Sequence, residues 1–348
     1  MNYSIHPDVS VILLMYNQAN IIHISLRSIQ NQSLKNIEII VIDDCSTDQS
    51  INIIKKYKKE DKRIRLITNN YNEGKIKSRS KGIRYCKGKY IAIIDGDDAF
   101  IHKDILYNSY NIGILGNLDI VEFKIAKYNK YQFKGILTNY DLLNGIENKI
   151  IYQPNLRTKF IIRNETAKIR GILNRNICGK LIKSDIFIKA LFKIGEKYTE
   201  DYMLVYEDTI MMITLLQIAN SYYLMKEYGY YYNKAPKKLK SYNNDFNNRK
   251  CKQNNSIIKG NDQAKYLNFL FEHTKDNFVE RQLIYYEIKS MSYWEGFDKT
   301  IDNHFELLYD IFAKILKIKF LKKKQLNKII YILEKIKEKE NKLKQYYI

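Results

Sequence analysis

The sequence predicts an α/β protein built on a mostly parallel sheet flanked by helices. Three observations carry that prediction. Short apolar runs alternate with amphipathic stretches over the first hundred residues. Polar, acid-rich segments follow the apolar runs at their carboxyl ends. Only three prolines occur, too few for long Pro-rich linkers. Strands buried on both faces read as continuous apolar runs and are joined by right-handed helical crossovers, so the alternation predicts a covered sheet.

The elements follow in order. Val9–Met15 is a continuous apolar strand, and Asn20–Asn31 has helical spacing through Ile21, Ile22, Leu26 and Ile29. Ile37–Ile42 is a second strand, and Ser46–Lys59 a second helix on Ile51, Ile53, Ile54 and Tyr57. Ile64–Thr68, Ile76–Cys86 and Tyr90–Ile94 repeat the pattern as strand, helix and strand. Beyond Phe100 it loosens. His102–Leu115 reads as a helix, Asp119–Tyr128 as a strand, and 129–165 as a polar, irregular insertion over the crevice. Ile177–Phe187 reads as a strand leading into a helix. Tyr206–Ala219 is a helix capped by Asp208 or Thr209, and Tyr228–Asn233 a short strand. Residues 234–262 are Lys/Asn-rich loop, and the remainder is helical, with Leu326, Ile329, Ile330, Leu333 and Ile336 at helical spacing.

Ligands bind in the crevice outside the carboxyl ends of such strands. Tyr16 and Asn17 follow strand one, Asp43 to Asp48 strand two, "NNYNEGK" strand three and "DGDD" strand four. Asp43, Asp44, Asp95, Asp97 and Asp98 are therefore expected to converge. Asp and Gly are ordinary turn residues, but three carboxylates in four positions repel one another. Mg²⁺ or Mn²⁺ is the usual remedy, held by one or two carboxylates with substrate phosphate completing the shell. Gly96 is expected to permit a tight turn there. Lys75, Lys77 and Arg79 either touch phosphates or form a solvated helix face.

The 348 residues carry 59 Lys and Arg against 38 Asp and Glu, a net charge of +21. From Lys314 to the end, twelve Lys face three Glu. Such a surface attracts nucleic acid, anionic lipid or phosphorylated small molecules, and charge alone does not choose. Cys45, Cys86, Cys178 and Cys251 are widely spaced, which fits neither a zinc site nor a disulfide framework and suits a reducing cytoplasm. No apolar run reaches the roughly 18 residues of a membrane span. A dinucleotide-binding enzyme needs G-x-G-x-x-G after strand one, and "LLMYNQAN" has no Gly. A sugar nucleotidylyltransferase lacks its Gly-rich loop for the same reason, and "NEGKIKS" lacks P-loop spacing. No zinc-finger or RNA-recognition signature accompanies the positive charge, so nucleic acid is not an expected partner.

The run from "VSVILLMYN" through "IEIIVIDDCSTD" and "NNYNEGKIKSRSKGIRYCKGKYIAIIDGDD" resembles the nucleotide-binding half of family 2 glycosyltransferases. "CGKLIKSDIF" and "YEDTIMMITLLQIANSYYLMKEYGYYYN" resemble the family's second half more loosely. The resemblance implies the GT-A fold over 1–233, with a nucleotide-binding half at 9–100, an acceptor half at 101–233, and a basic, mostly helical region at 234–348. It implies an inverting transferase working on a nucleotide-sugar donor, a UDP-sugar first, and a glycan or lipid-linked glycan acceptor in surface polysaccharide or lipopolysaccharide synthesis. Mn²⁺ or Mg²⁺ is the implied cofactor, at Asp97 and Asp98. Tyr16, Asn17, Asp43, Asp44, Arg79, Asp95 and Asp97 are implied nucleotide contacts, with Asp44 meeting the base. Asp208 is the implied general base, with Asp201 of "TED" a competitor. The chain departs from the pattern at Leu14, at Cys45 where Gly is usual, and at Ser80. The implied location is the cytoplasm, with the Lys-rich end offered to an anionic membrane face. The alternatives are an inactive relative or a basic protein that binds nucleic acid or an anionic surface.

Overall fold

The computed structural model describes residues 6–127, 148–153, 175–203 and 206–233, together with positions 262, 265, 266, 268–270, 272 and 273. The chain divides into two compact units, 1–203 with 207–244, and 204–206 with 245–348. The expectations for the 129–147 and 154–165 segments, the C-terminal helices, the Lys-rich end and Cys251 fall outside the described residues.

In the first unit the strands are β1 (Val9–Met15), β2 (Ile37–Asp43), β3 (Ile64–Thr68), β4 (Tyr90–Asp95), β5 (Ala99–Phe100), β6 (Ile120–Lys127), β7 (Ile150–Tyr152), β8 (Lys180–Lys183) and β9 (Ser221–Tyr232). The helices are α1 (Ile22–Gln30), α2 (Ser50–Glu60), α3 (Lys75–Tyr85), α4 (Ile105–Leu115), α5 (Ser184–Ile194), α6 (Glu196–Thr199) and α7 (Glu207–Ile218). One sheet runs β3-β2-β1-β4-β8-β6-β9-β5, with β7 added against β9. Strands β1 to β4 pair in parallel, whereas β8 is antiparallel to both β4 and β6.

The core follows from the apolar runs. Every residue of β1 is buried, and Ile22, Leu26 and Ile29 of α1 and Ile54 of α2 are fully covered. Burying each such side chain is worth roughly 1.5–3 kcal/mol. Helix α7 is apolar all round, with Ile210, Met211, Met212, Ile213, Leu215 and Leu216 buried, the pattern of a helix enclosed on every side.

Register positions the site. Met15 pairs with Asp43, Asp43 with Thr68, and Leu14 with Asp95, so the strands end together on one edge. The chain steps outward from β1 to β2 and β3, then returns to β4 on the other side of β1. The crevice lies at that reversal.

Five elements differ from the sequence expectation. Strand β9 runs for 12 residues, because β6 pairs along its length, β7 with its first residues and β5 with its Tyr-rich end. Strands β5 and β7 are too short to leave a periodic signal. Helix α2 starts at Ser50, since Ser46 and Asp48 bind the neighbouring loop instead. Asp208 lies within the first turn of α7, not at its cap. Among the described residues no helix is long and apolar enough to cross a membrane, and Cys45, Cys86 and Cys178 are free thiols.

The second unit has helical positions between 262 and 273. There the Tyr206 ring stacks on Tyr266 at 4.7 Å, and His273 stacks on Phe269 at 4.2 Å.

Candidate active site at the carboxyl edge of the sheet

At the end of β2 the structure divides the Asp pair by role. Asp44 is buried and accepts from Asn69 Nδ2 (2.9 Å), the Glu73 amide (2.8 Å), the Gly74 amide (3.0 Å) and Ser78 Oγ (3.1 Å). These donors are the β3–α3 loop and the first turn of α3, so Asp44 pins that loop with neutral groups. Gly74 presents its amide at φ +82°, a conformation that disfavours any Cβ. Asp43 is fully buried as well: Oδ2 accepts the Ser46 amide at 3.1 Å, while Oδ1 has no hydrogen-bond partner. Burial pushes the Asp43 carboxyl above its usual range, against the Ser46 hydrogen bond. Sequence reasoning gave the base contact to Asp44.

Asn17 adopts φ +50° and its Oδ1 accepts from the Thr47 amide (2.7 Å), Thr47 Oγ1 (3.3 Å) and the Asp48 amide (3.3 Å). It ties the β1 loop to the β2 loop. Tyr16, half-buried, stands beside it at the end of β1. Cys45 sits at φ +67°, which explains why Gly suits that position and shows that Cys holds the same turn under strain.

At the end of β4 the carboxylates meet cations. Asp95 accepts from Lys75 Nζ (3.1 Å) and Arg79 Nη2 (2.8 Å). Burial alone would raise Asp95, but the two cations outweigh it and hold the carboxyl well below the usual range. Asp98 is buried and accepts from Tyr230 Oη (2.6 Å) and the Asn233 amide (2.9 Å). Burial first, then the charges of Asp97 and Asp95, push Asp98 well up. Ligand oxygens of Asp95, Asp97 and Asp98 lie within 4.8 Å of one another. This hard oxygen set fits Mg²⁺ or Mn²⁺, and an added cation would reverse the repulsion that raises Asp98. Asp95 already faces two cations, whereas Asp98 accepts from the neutral Tyr230 hydroxyl and Asn233 amide, so Asp97 and Asp98 are the pair an added cation would suit. Gly96 has another reason than the expected turn freedom. A Cβ there would lie 2.0 Å from Gln18 Oε1 and 3.0 Å from Leu14 O, so the backbone passes too close for any side chain.

Arg79 joins this edge to the distant ED pair. Its guanidinium is fully buried and binds Asp95, Asp208 Oδ1 and, at 3.9 Å, Glu207. Burial opposes its charge, but Asp208 and Asp95 override that and hold it firmly protonated. Asp201 instead accepts the Tyr202 amide at 2.8 Å, and Asp208 is the acid that Arg79 brings to the crevice. Lys77 turns instead to exposed Glu200 at 3.4 Å and to Tyr71 Oη at 3.2 Å. Residues i and i+4 share a helix face and i+2 does not, a signal that separates Lys75 and Arg79 from Lys77. Ser80 is buried next to Arg79. Sequence reasoning missed Tyr230 and Glu207 as parts of the site.

A family model described as glycosyl transferase family 2 matches residues 10–107, which hold β1 to β4 and the whole DGDD edge. Over these residues the chain is similar to glycosyl transferase family 2. An uncharacterized glycosyltransferase of Haemophilus influenzae is 34% identical over 206 residues, covering 56% of this chain and 58% of that protein. Escherichia coli UDP-Glc:alpha-D-GlcNAc-diphosphoundecaprenol beta-1,3-glucosyltransferase WfaP is 43% identical over 97 residues, 28% of this chain and 38% of its own. The chain spans between 56% and 61% of the length of the first curated relatives it matches. Among solved structures, S. aureus TarS 1–349 in complex with UDP-GlcNAc superposes with TM-score 0.62 at 16% identity, covering 88% of this chain and 81% of that one. Mannosyltransferase PcManGT from Pyrobaculum calidifontis, in complex with GDP-Man and Mn²⁺, gives TM-score 0.54 at 14% identity, with coverages of 85% and 74%. The fold of the chain is GT-A.

Proposed function

We propose that the chain is an inverting glycosyltransferase that moves a sugar from a nucleoside diphosphate, a UDP-sugar first, to a hydroxyl of a glycan or glycolipid. The observation that supports it best is the Arg79 bridge. It couples the acidic edge suited to a donor diphosphate with an acid positioned for an acceptor.

In this reading Asp43 Oδ1 accepts an N–H of the base, which uracil or guanine supplies from its ring. Asp44 keeps the β3–α3 loop in place beneath the nucleotide. Asp97 and Asp98 hold a divalent ion, which when bound acts as a Lewis acid on the diphosphate oxygens. Asp208 is the most open carboxylate of the Arg79 network, its side chain 27% exposed against 16% for Asp95 and 9% for Glu207. It takes the proton of the acceptor hydroxyl as that oxygen bonds to the anomeric carbon. The bond from that carbon to the diphosphate breaks on the opposite face, through an oxocarbenium-like state. General-base help of this kind is worth about 10²–10⁴-fold. The Lys-rich end, twelve Lys against three Glu, suits an anionic bilayer on the cytoplasmic side, where a lipid-linked acceptor for polysaccharide assembly is presented.

The test is thermal stabilisation by UDP, GDP and CDP, each with and without Mn²⁺, on wild type and on Asp97→Asn/Asp98→Asn. A ligand at 100 times its dissociation constant adds about 2.7 kcal/mol. A manganese-dependent shift with one nucleotide, lost in the double variant, is expected. No shift with any nucleotide would overturn the donor site.

A further inference from the structure

The carboxylate of Asp208 is bound by a buried guanidinium, and the structure contains a second carboxyl able to compete for it. Glu207 and Asp208 are consecutive, both in the first turn of α7. Arg79 Nη1 binds Asp208 Oδ1 and lies 3.9 Å from Glu207 Oε1. Two carboxyl groups thus face one guanidinium nitrogen.

The local charges show which is held. Lys75 and Arg79 supply two positive charges, and Asp95 and Asp208 pair with them directly. An ionised Glu207, only 7% exposed, would be a third carboxylate sharing those two cations among the described residues. A buried carboxyl in that position keeps its proton.

Resting on the transferase reading above, we propose that Glu207 is a positioning residue whose proton decides which carboxylate Arg79 holds. Protonated, Glu207 leaves Arg79 on Asp208 and the base is masked. Ionised, Glu207 draws the guanidinium toward itself, and Asp208 is released to take the acceptor proton. The proton lost by Glu207 goes to solvent, and no other bond changes.

The groups acting on Glu207 come from two elements. Asp208 acts from its own helix, and Lys75 and Arg79 act from α3. Helix α5, also packed on α7, carries only Asp185, Lys189 and Lys193 as charged residues, and Asp185 pairs with Lys189 at 3.0 Å on the exposed face. Burial first, then Asp208, raises the Glu207 carboxyl to about 7, with Lys75 and Arg79 opposing. The exchange therefore falls within the range where an enzyme is assayed.

Two measurements on the full chain test this. The first is the pH profile of kcat for donor turnover in wild type and Glu207→Gln. Wild type should rise through a limb near pH 7. Glu207→Gln should lose that limb, turn over about tenfold more slowly at pH 8 as part of the 10²–10⁴-fold base contribution is masked, and keep its donor KM. A limb that persists in Glu207→Gln overturns the proposal, as does a changed KM with unchanged kcat.

The second measurement is the difference in melting temperature between Glu207→Gln and wild type from pH 5 to pH 8, which needs no turnover. A carboxyl raised in the folded state stabilises most below its unfolded pKa, and that stability is lost as pH rises through its folded value. Relative to wild type, Glu207→Gln should therefore gain stability as pH rises through about 7. A difference that stays constant with pH overturns the proton-holding role. If neither protein turns over any nucleotide sugar, the transferase reading fails, and the melting comparison still decides whether Glu207 holds the proton.

Discussion

Two strand ends on the same edge handle buried carboxylates in opposite ways. At the end of β2, Asp44 is satisfied by two backbone amides, an amide side chain and a hydroxyl, all within residues 69–78. At the end of β4, Asp95 relies on Lys75 and Arg79, and Arg79 in turn holds Asp208, 129 positions along the chain. The first arrangement is local, neutral and closed. The second is charged, shared among several partners and reaches across the unit. A closed network holds a loop, whereas a shared one responds to a new charge, and the proposed donor chemistry is placed at β4 for that reason.

The largest way to break this comparison is Arg79→Met. It leaves Asp95 and Asp208 without their common partner, and losing one member of a buried ion network costs about 3–5 kcal/mol. Urea unfolding should show that loss, and Arg79→Lys should recover part of it. Equal stability for wild type and Arg79→Met would mean that the bridge does not hold the two halves together.

Asp44→Ala should come next. Four donors lose their acceptor, at about 1–3 kcal/mol for each group that water cannot reach. Asp43→Ala should change stability far less and nucleotide binding more. Calorimetric titration with UDP on both variants separates the pair, and the reverse ranking would return the base contact to Asp44.

Tyr230→Phe is smaller. It removes one hydroxyl, bound to Asp98 at 2.6 Å, at about 1–3 kcal/mol. The manganese-dependent nucleotide shift should weaken while the shift without metal is unchanged.

The smallest effect lies outside the site. Asp61 pairs with Arg63 at 2.8 Å, and Arg63 holds its carboxyl down at about 2. Its pKa is depressed on folding, so its stability is present above 3.8 and lost as pH falls toward about 2. The gap between wild type and Arg63→Met, below about 1 kcal/mol, should close over that interval.

The parallel half was legible because each strand there is a continuous apolar run and each helix has one apolar face. Its acids were legible as a group, since register alone brings strand ends together. Their division of labour was not. Asp43 and Asp44 are adjacent, and only the loop that folds back over them shows which is already satisfied. Tyr230 was hidden among 30 tyrosines, and nothing in a single Tyr says that it reaches Asp98. Glu207 was hidden by its neighbour, because a sequence shows two acids at a helix start but not a guanidinium between them. The register of β9 depends on β6, β5 and β7 together, so a local pattern recovers only its aromatic end.

The reach of β9 also bears on the order of assembly. Strands β1 to β4 find their partners within the first 95 residues, through short crossovers. Strand β9 must close loops of about a hundred residues onto β6, and Tyr230 meets Asp98 across 132 positions. Distant pairings carry a larger loop-closure entropy and form late. Pulse-labelled hydrogen exchange during refolding should protect the amides of β1 and β2 before those of β9. A nascent chain would then possess its nucleotide platform before its acidic edge is locked, and competence for chemistry would arrive as the last event of maturation.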